Sequence, residues 1–150
     1  MRGRRNGAGR RGGELLLGLL VLSVVLAGCG DEPTAAPGTP GPGVGVVTTA
    51  SDGVQEITLQ TQDDYVFTPD TFTVAPGTVR LTVVNAAKEM THNFRFTPDA
   101  GPAPIGEEID LLTAGQEVTI EFDVTEPGDY PFECSFHLQL NQVGTMTVRS

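Results

Sequence analysis

The residues best suited to chemistry lie near the C-terminus of this 150-residue chain, where His137 follows Cys134 after two intervening residues. The sequence holds two histidines and two cysteines in all, and the second histidine, His92, lies far upstream. A soft thiolate selects copper, and two imidazoles can complete a trigonal plane around it. The three residues therefore predict a mononuclear copper site, provided that the fold brings them together.

The N-terminus has the pattern of an export signal. Residues 1–13 carry five arginines and residues 15–27 form an apolar run, which is shorter than the roughly 20 residues needed to cross a bilayer. The run ends in Leu26-Ala27-Gly28-Cys29, which resembles the bacterial lipobox. A signal peptide over residues 1–28 is expected, followed by a lipidated Cys29. The alternative is an ordinary signal peptide that leaves Cys29 free to form a disulfide.

A lipid on Cys29 would anchor the exported protein to the outer face of the cell membrane. The pairs Arg4-Arg5 and Arg10-Arg11 leave general and twin-arginine export both open. Lipidation would also leave Cys134 without a disulfide partner, and the compartments outside the cytoplasm oxidise spare thiols. Metal ligation would protect this thiol.

Removal of residues 1–28 changes the charge balance. The number of Lys plus Arg residues falls from 9 to 4 and that of Asp plus Glu from 19 to 18, so the formal net charge of the mature chain is near −14. Nucleic acid is excluded as a partner, because phosphate binding needs a basic face. A basic protein partner and simple solubility both remain open as explanations of the acidity.

The remaining chain divides into a tether and a folded domain. Residues 29–53 are rich in Pro, Gly, Thr and Ala, a composition that cannot build a core. From Val54 to Ser150 apolar residues alternate with polar ones between Pro-Gly and Ala-Gly turns, which indicates half-buried strands. Seven or eight short strands over this length predict an all-β sandwich.

Strand parity predicts where the ligand candidates point. His92 begins a strand whose inward residues are Phe94 and Phe96, and Cys134 ends a strand with Tyr130 and Phe132 inward. His137 would lie in the adjoining loop. The three side chains are thus expected at one end of the sandwich.

Several short motifs together resemble the cupredoxin family, and plastocyanin-type domains in particular. They are Asn85, His92-Asn93, Pro127-Gly128-Asp129-Tyr130 and the run from Cys134 through His137 and Gln142 to Gly144. The resemblance implies a Greek-key β-sandwich with one copper ion held by His92, Cys134 and His137. Asn93 would tie the histidine strand to the cysteine loop. Gln142 stands where plastocyanins have Met, which resembles the stellacyanin branch and implies an axial amide oxygen.

This resemblance implies a type 1 (blue) copper protein that carries single electrons between redox protein partners, and not an enzyme. Multicopper enzymes need more histidines than the two present. A copper delivery, storage or sensing module remains an alternative, as does a metal-free interaction domain. We expect a monomer, with an apolar docking rim that Leu138 and Leu140 form together with Pro102 and Pro104.

Overall fold

Alternating apolar and polar residues give the chain a succession of short strands. The computed structural model describes residues 39–150. Its strands are β1 (Thr48–Thr49), β2 (Gln55–Thr61), β3 (Phe67–Thr68), β4 (Thr71–Val74), β5 (Gly77–Asn85), β6 (His92–Phe96), β7 (Ile109–Leu112), β8 (Glu117–Val124), β9 (Gly128–Glu133) and β10 (Val143–Val148). A 3-10 turn, Leu138–Leu140, precedes β10. No helix in this part of the chain is long and apolar enough to cross a membrane.

The predicted all-β class is confirmed, and the strand count is close to the prediction. Ten strands are present in residues 39–150, of which β1 and β3 have only two residues each. β1 lies inside the range assigned to the tether and pairs with the start of β2. The division at residue 53 otherwise stays a prediction, and Cys29 and the signal peptide lie outside the described residues.

Two mixed sheets make up the fold. The first has the order β1-β2-β5-β8, with β3 also paired to β2, and the second has the order β4-β10-β9-β6-β7. β2 runs parallel to β5, in a register that sets Thr61 opposite Asn85. Both strands therefore end at the same pole of the molecule, and Asn85 leads into the loop before His92.

The core lies between the two sheets and is rich in aromatic rings. Phe132 of β9 is fully buried and contacts Phe67, Phe94 and Phe72, with ring centroids 5.4, 5.2 and 5.8 Å away. Phe67 belongs to the first sheet and the other three rings to the second. The contact with Phe67 is edge-on, an arrangement that aromatic pairs prefer, and the other two ring pairs are tilted. Phe132 therefore joins the two layers only two residues before Cys134.

Gly144 of β10 is required by packing. It lies opposite Phe132 in the β9–β10 ladder. A Cβ at this position would collide with the Phe132 ring and with the backbone oxygen of Asp70. The glycine thus lets the aromatic ring cover β10 closely, next to the loop that carries Gln142.

Candidate metal centre

His92 reaches the pole through an irregularity in β6. The pairing of β6 with β7 shifts register between His92 and Phe94, and His92, Asn93 and Phe94 are all buried. A regular strand would alternate its side chains between two faces. The bulge therefore lets consecutive residues of β6 contribute to the site, as bulges near functional sites commonly do.

Cys134 and His137 occupy a loop that is closed by backbone hydrogen bonds. Cys134 follows β9 directly, and its N–H donates to the Gln142 carbonyl at 3.0 Å. The His137 N–H donates to the Cys134 carbonyl at 3.1 Å, and the His137 carbonyl accepts from Leu140 at 2.8 Å. Asn141 then takes a left-handed conformation, with φ 62°, which turns the chain back toward β10. The tight turn returns Gln142 to the side of Cys134.

The fold brings the predicted ligands together. One donor atom from each of His92, Cys134 and His137 lies within 4.8 Å of the others. His137 Nδ1 is 3.5 Å from Cys134 Sγ, and the two imidazole rings are 4.9 Å apart between centroids. The Gln142 Oε1 atom lies 2.9 Å from His92 Nδ1 and 3.0 Å from His137 Nδ1. Two nitrogens, one sulfur and one oxygen thus face a common point.

The hydrogen bonds of His92 fit a cation at that point. Its Nε2 lies 2.9 Å from the Gln62 carbonyl, and its Nδ1 faces the Gln142 oxygen. Burial lowers the pKa of His92 and favours the neutral ring, which carries one N–H for two acceptor oxygens. In the tautomer that donates from Nε2 to Gln62, the Nδ1 lone pair faces Gln142 Oε1. A metal ion would accept both lone pairs, so this donor set fits a soft-to-borderline cation such as copper.

Asn93 connects the two ligand-bearing segments. Its side chain donates to Ser135 Oγ and accepts from the Ser135 N–H, each at 2.7 Å. Its backbone N–H points at Cys134 Sγ, 3.4 Å away. Asn93 therefore lies beside the candidate ligands and links β6 to the cysteine loop.

The segment Thr61–Tyr65, which begins at the last residue of β2, supports the site, and no motif in the sequence marks it. Thr61 accepts from Gln142 Nε2 at 2.7 Å, and Gln62 supplies the carbonyl facing His92. The Tyr65 ring packs edge-on against His137, with centroids 4.9 Å apart. No periodic signal marks this polar stretch; only the parallel pairing of β2 with β5 places it at the pole.

Asp63 in the same segment holds the loop before His92. Its carboxylate accepts from the backbone N–H of Lys88 at 2.9 Å and of Met90 at 3.2 Å. The hydrogen bond from Lys88 is the main cause that lowers the pKa of Asp63. The carboxylate thus fixes the connection between β5 and β6.

A partly buried ion pair, in which only the carboxylate is fully covered, lies directly beside Cys134. Glu133 is 4% exposed, although strand parity turns it away from the core. It accepts from Arg95 Nη2 at 2.6 Å and from Thr97 Oγ1 at 2.9 Å. Because the charge is paired and hydrogen-bonded, burial is tolerated. The sequence pattern gave no sign that this carboxylate would be covered.

The pole carries an exposed apolar surface around half-buried His137. Phe136, Leu138 and Leu140 are 52, 41 and 53% exposed. The expectation that Pro102 belongs to this rim is wrong. Pro102 occupies the space where a Gly128 Cβ would lie, at the start of β9, and Cys134 follows the other end of that strand, about 20 Å away at strand spacing.

Comparison with known proteins agrees with this architecture. A family model described as a cupredoxin-like domain matches residues 21–148. The chain belongs to this family. This chain is 37% identical to plastocyanin of Lactuca sativa over 100 residues. The aligned region covers 62% of this chain and 98% of that relative. Its match to the chloroplastic plastocyanin minor isoform of Arabidopsis thaliana, at 35% identity over 101 residues, covers 63% of this chain but only 57% of the relative.

The fold of this cupredoxin also occurs among solved structures. The dithionite-reduced auracyanin of Roseiflexus castenholzii superposes with a TM-score of 0.57 at 23% identity, covering 69% of this chain and all of that one. At this identity the likeness shows the fold alone. The match to the family model confirms the predicted family. Copper, the predicted cofactor, is supported by the family and by the His-Cys-His group, while the ligand roles of individual residues and the axial role of Gln142 stay predictions.

Proposed function

We propose that this cupredoxin is a type 1 copper protein that carries single electrons. The observation that carries the proposal is the convergence of the donor atoms of His92, Cys134 and His137 within 4.8 Å at one pole. Copper in such a site supplies one-electron chemistry by alternating between Cu(I) and Cu(II). The protein's part is to hold a geometry acceptable to both states and to keep water from the thiolate.

The surroundings of the donors support a carrier. Cys134, His92 and Gln142 are fully buried, whereas His137 is half-buried and framed by exposed Phe136, Leu138 and Leu140. An imidazole edge at an apolar surface offers a short electron path to a partner protein docked there. We propose that the donor and acceptor are redox proteins that meet this pole.

The test of the proposal is the absorption and electron-spin spectrum of the mature domain loaded with Cu(II). An intense thiolate-to-copper band in the visible is expected; its absence would overturn the assignment. Reversible voltammetry with rapid electron self-exchange then distinguishes a carrier from a delivery, storage or sensing module, for which slow exchange is expected.

Substitution Gln142→Met is expected to raise the reduction potential. An amide oxygen is a harder donor than a thioether and favours Cu(II). A rise of at least about 59 mV is expected, which corresponds to a tenfold loss of Cu(II) affinity relative to Cu(I). Voltammetry measures it, and Gln139→Met, an exposed position in the same loop, is the matched control. An unchanged or lower potential in Gln142→Met would show that Gln142 is not an axial ligand.

We also propose export and lipid anchoring through Cys29, which would hold the domain at the outer face of the membrane. Substitution Cys29→Ser is expected to move nearly all of the protein from the membrane fraction to the soluble fraction, because the sulfur that carries the lipid is lost. Cell fractionation and the mass of the mature N-terminus measure this. Cys134→Ser is the control that keeps the anchor. Continued membrane attachment of Cys29→Ser would contradict the proposal.

A further inference from the structure

The side chain of Gln142 is fully enclosed, so both ends of its amide need partners. It is 0% exposed. Its oxygen faces the Nδ1 atoms of His92 and His137 at 2.9 and 3.0 Å, and its nitrogen donates to Thr61 Oγ1 at 2.7 Å. The two ends of an amide are nearly equal in size, and hydrogen bonds decide which way it points. The Thr61 hydroxyl is the partner of the nitrogen end.

Thr61 is held rigidly. It is 1% exposed, and as the last residue of β2 it pairs with Asn85 of β5 and with Phe67 of β3. Its carbonyl accepts from the Ala86 N–H at 2.9 Å. A β-branched side chain also has few rotamers available. The β2 strand thus fixes the position of the Thr61 hydroxyl. This hydroxyl accepts a hydrogen bond from Gln142, which lies 81 positions later in the chain.

We propose that Thr61 is the positioning residue that keeps the Gln142 amide oxygen turned toward the metal, an inference that rests on the copper site proposed above. An amide N–H cannot face a cation, so the oxygen-inward orientation requires an acceptor for the nitrogen on the far side. Thr61 Oγ1 is that acceptor. Without it the buried amide nitrogen loses its partner, and the side chain turns or withdraws from the site.

The role of Thr61 predicts a loss of Cu(II) affinity in the variant Thr61→Val, which is nearly isosteric and lacks the hydroxyl. Partners of metal ligands typically change metal affinity about 10–100-fold when removed. We expect a Cu(II) affinity lower by this factor with smaller change for Cu(I), and therefore a raised reduction potential. Thr61→Ser, which keeps the hydroxyl, should restore the wild-type potential.

Two controls separate positioning from a merely structural role. Thr58→Val makes the same change at a half-buried position of the same strand and should leave the potential unchanged. In a Gln142→Met background, Thr61→Val should shift the potential no further, because the amide that it positions is gone. An additive shift in the double variant would overturn the proposal.

Nuclear magnetic resonance of the metal-free protein gives an independent measurement. The side-chain amide protons of Gln142 should exchange slowly in the wild type and in Thr61→Ser, and quickly in Thr61→Val. Thr61→Ala makes the same test if the valine variant does not fold. A wild type without a thiolate-to-copper band would overturn the proposed function and the metal-directed role of Thr61 with it, while amide exchange would still report the hydrogen bond between Thr61 and Gln142. A retained band with unchanged potential and unchanged amide exchange in Thr61→Val would overturn only the role of Thr61.

Discussion

Substitution Cys134→Ser is expected to abolish the thiolate-to-copper band completely. The band requires a sulfur anion bound to Cu(II), and a serine hydroxyl is neither soft nor ionised at neutral pH. Cys134 is fully buried, and it is the free cysteine of the described residues. The visible spectrum after addition of one equivalent of Cu(II) measures the effect.

The matched control for Cys134→Ser is Met146→Leu. Met146 is the other fully buried sulfur-bearing side chain of residues 39–150, and it packs in the core. A volume-conserving exchange there costs less than about 1.5 kcal/mol and should leave the spectrum unchanged. An intense band that survives Cys134→Ser would refute thiolate ligation. Loss of the band in Met146→Leu would instead show that the band depends on the Met146 sulfur, contrary to the assignment of Cys134 as the ligand.

Substitution Phe132→Ala is expected to lower the free energy of unfolding by about 3–5 kcal/mol. Phe132 is fully buried and contacts three other phenylalanines between the sheets. Truncation would leave a cavity that strand-bound neighbours cannot fill. Because small domains are stable by only about 5–15 kcal/mol, the variant should lie close to unfolding. Urea denaturation of the metal-free protein measures the change without any contribution from metal binding.

Phe136→Ala makes the same substitution four residues later in the chain. Phe136 is 52% exposed, so its truncation should change stability by no more than about 0.5 kcal/mol. A loss of unfolding free energy below about 1 kcal/mol in Phe132→Ala, or equal losses in the two variants, would contradict the conclusion that Phe132 stabilises the packing of the two sheets.

The fold class followed from the sequence because apolar and polar residues alternate along most of its strands. The inward faces expected around Phe94, Phe132 and Val148 are the buried faces of β6, β9 and β10. What the pattern could not provide was strand pairing. β2 and β10 both take parallel partners, β5 and β4, and those pairings depend on contacts between distant segments that no local periodicity encodes. The short β1 and β3 likewise have too few residues to show a period.

The donor residues were predictable because rare residue types were involved. Two histidines and two cysteines in the whole sequence left few alternatives, and the structure brings His92, Cys134 and His137 together. Their supports were not predictable, because Thr61, Gln62 and Tyr65 are common residue types in a polar stretch without a motif. The burial of Glu133 beneath Arg95 was missed for a related reason. Strand parity predicts on which face of the sheet a side chain lies, but not which other residues cover that face.

The long sequence separations within the site have a consequence for folding. Thr61 bonds to Gln142 across 81 positions, His92 contacts Gln142 across 50, and Asn93 contacts Cys134 across 41. Contacts between distant positions form late, because loop-closure entropy must be lost before they contribute. A partly folded chain offers only the loop residues Cys134, His137 and Gln142 as close neighbours, without His92. Tight copper binding should therefore occur only at the last step of folding. Because copper binds the native state and not the unfolded chain, it stabilises the native state. Tight binding would then indicate that both sheets have formed.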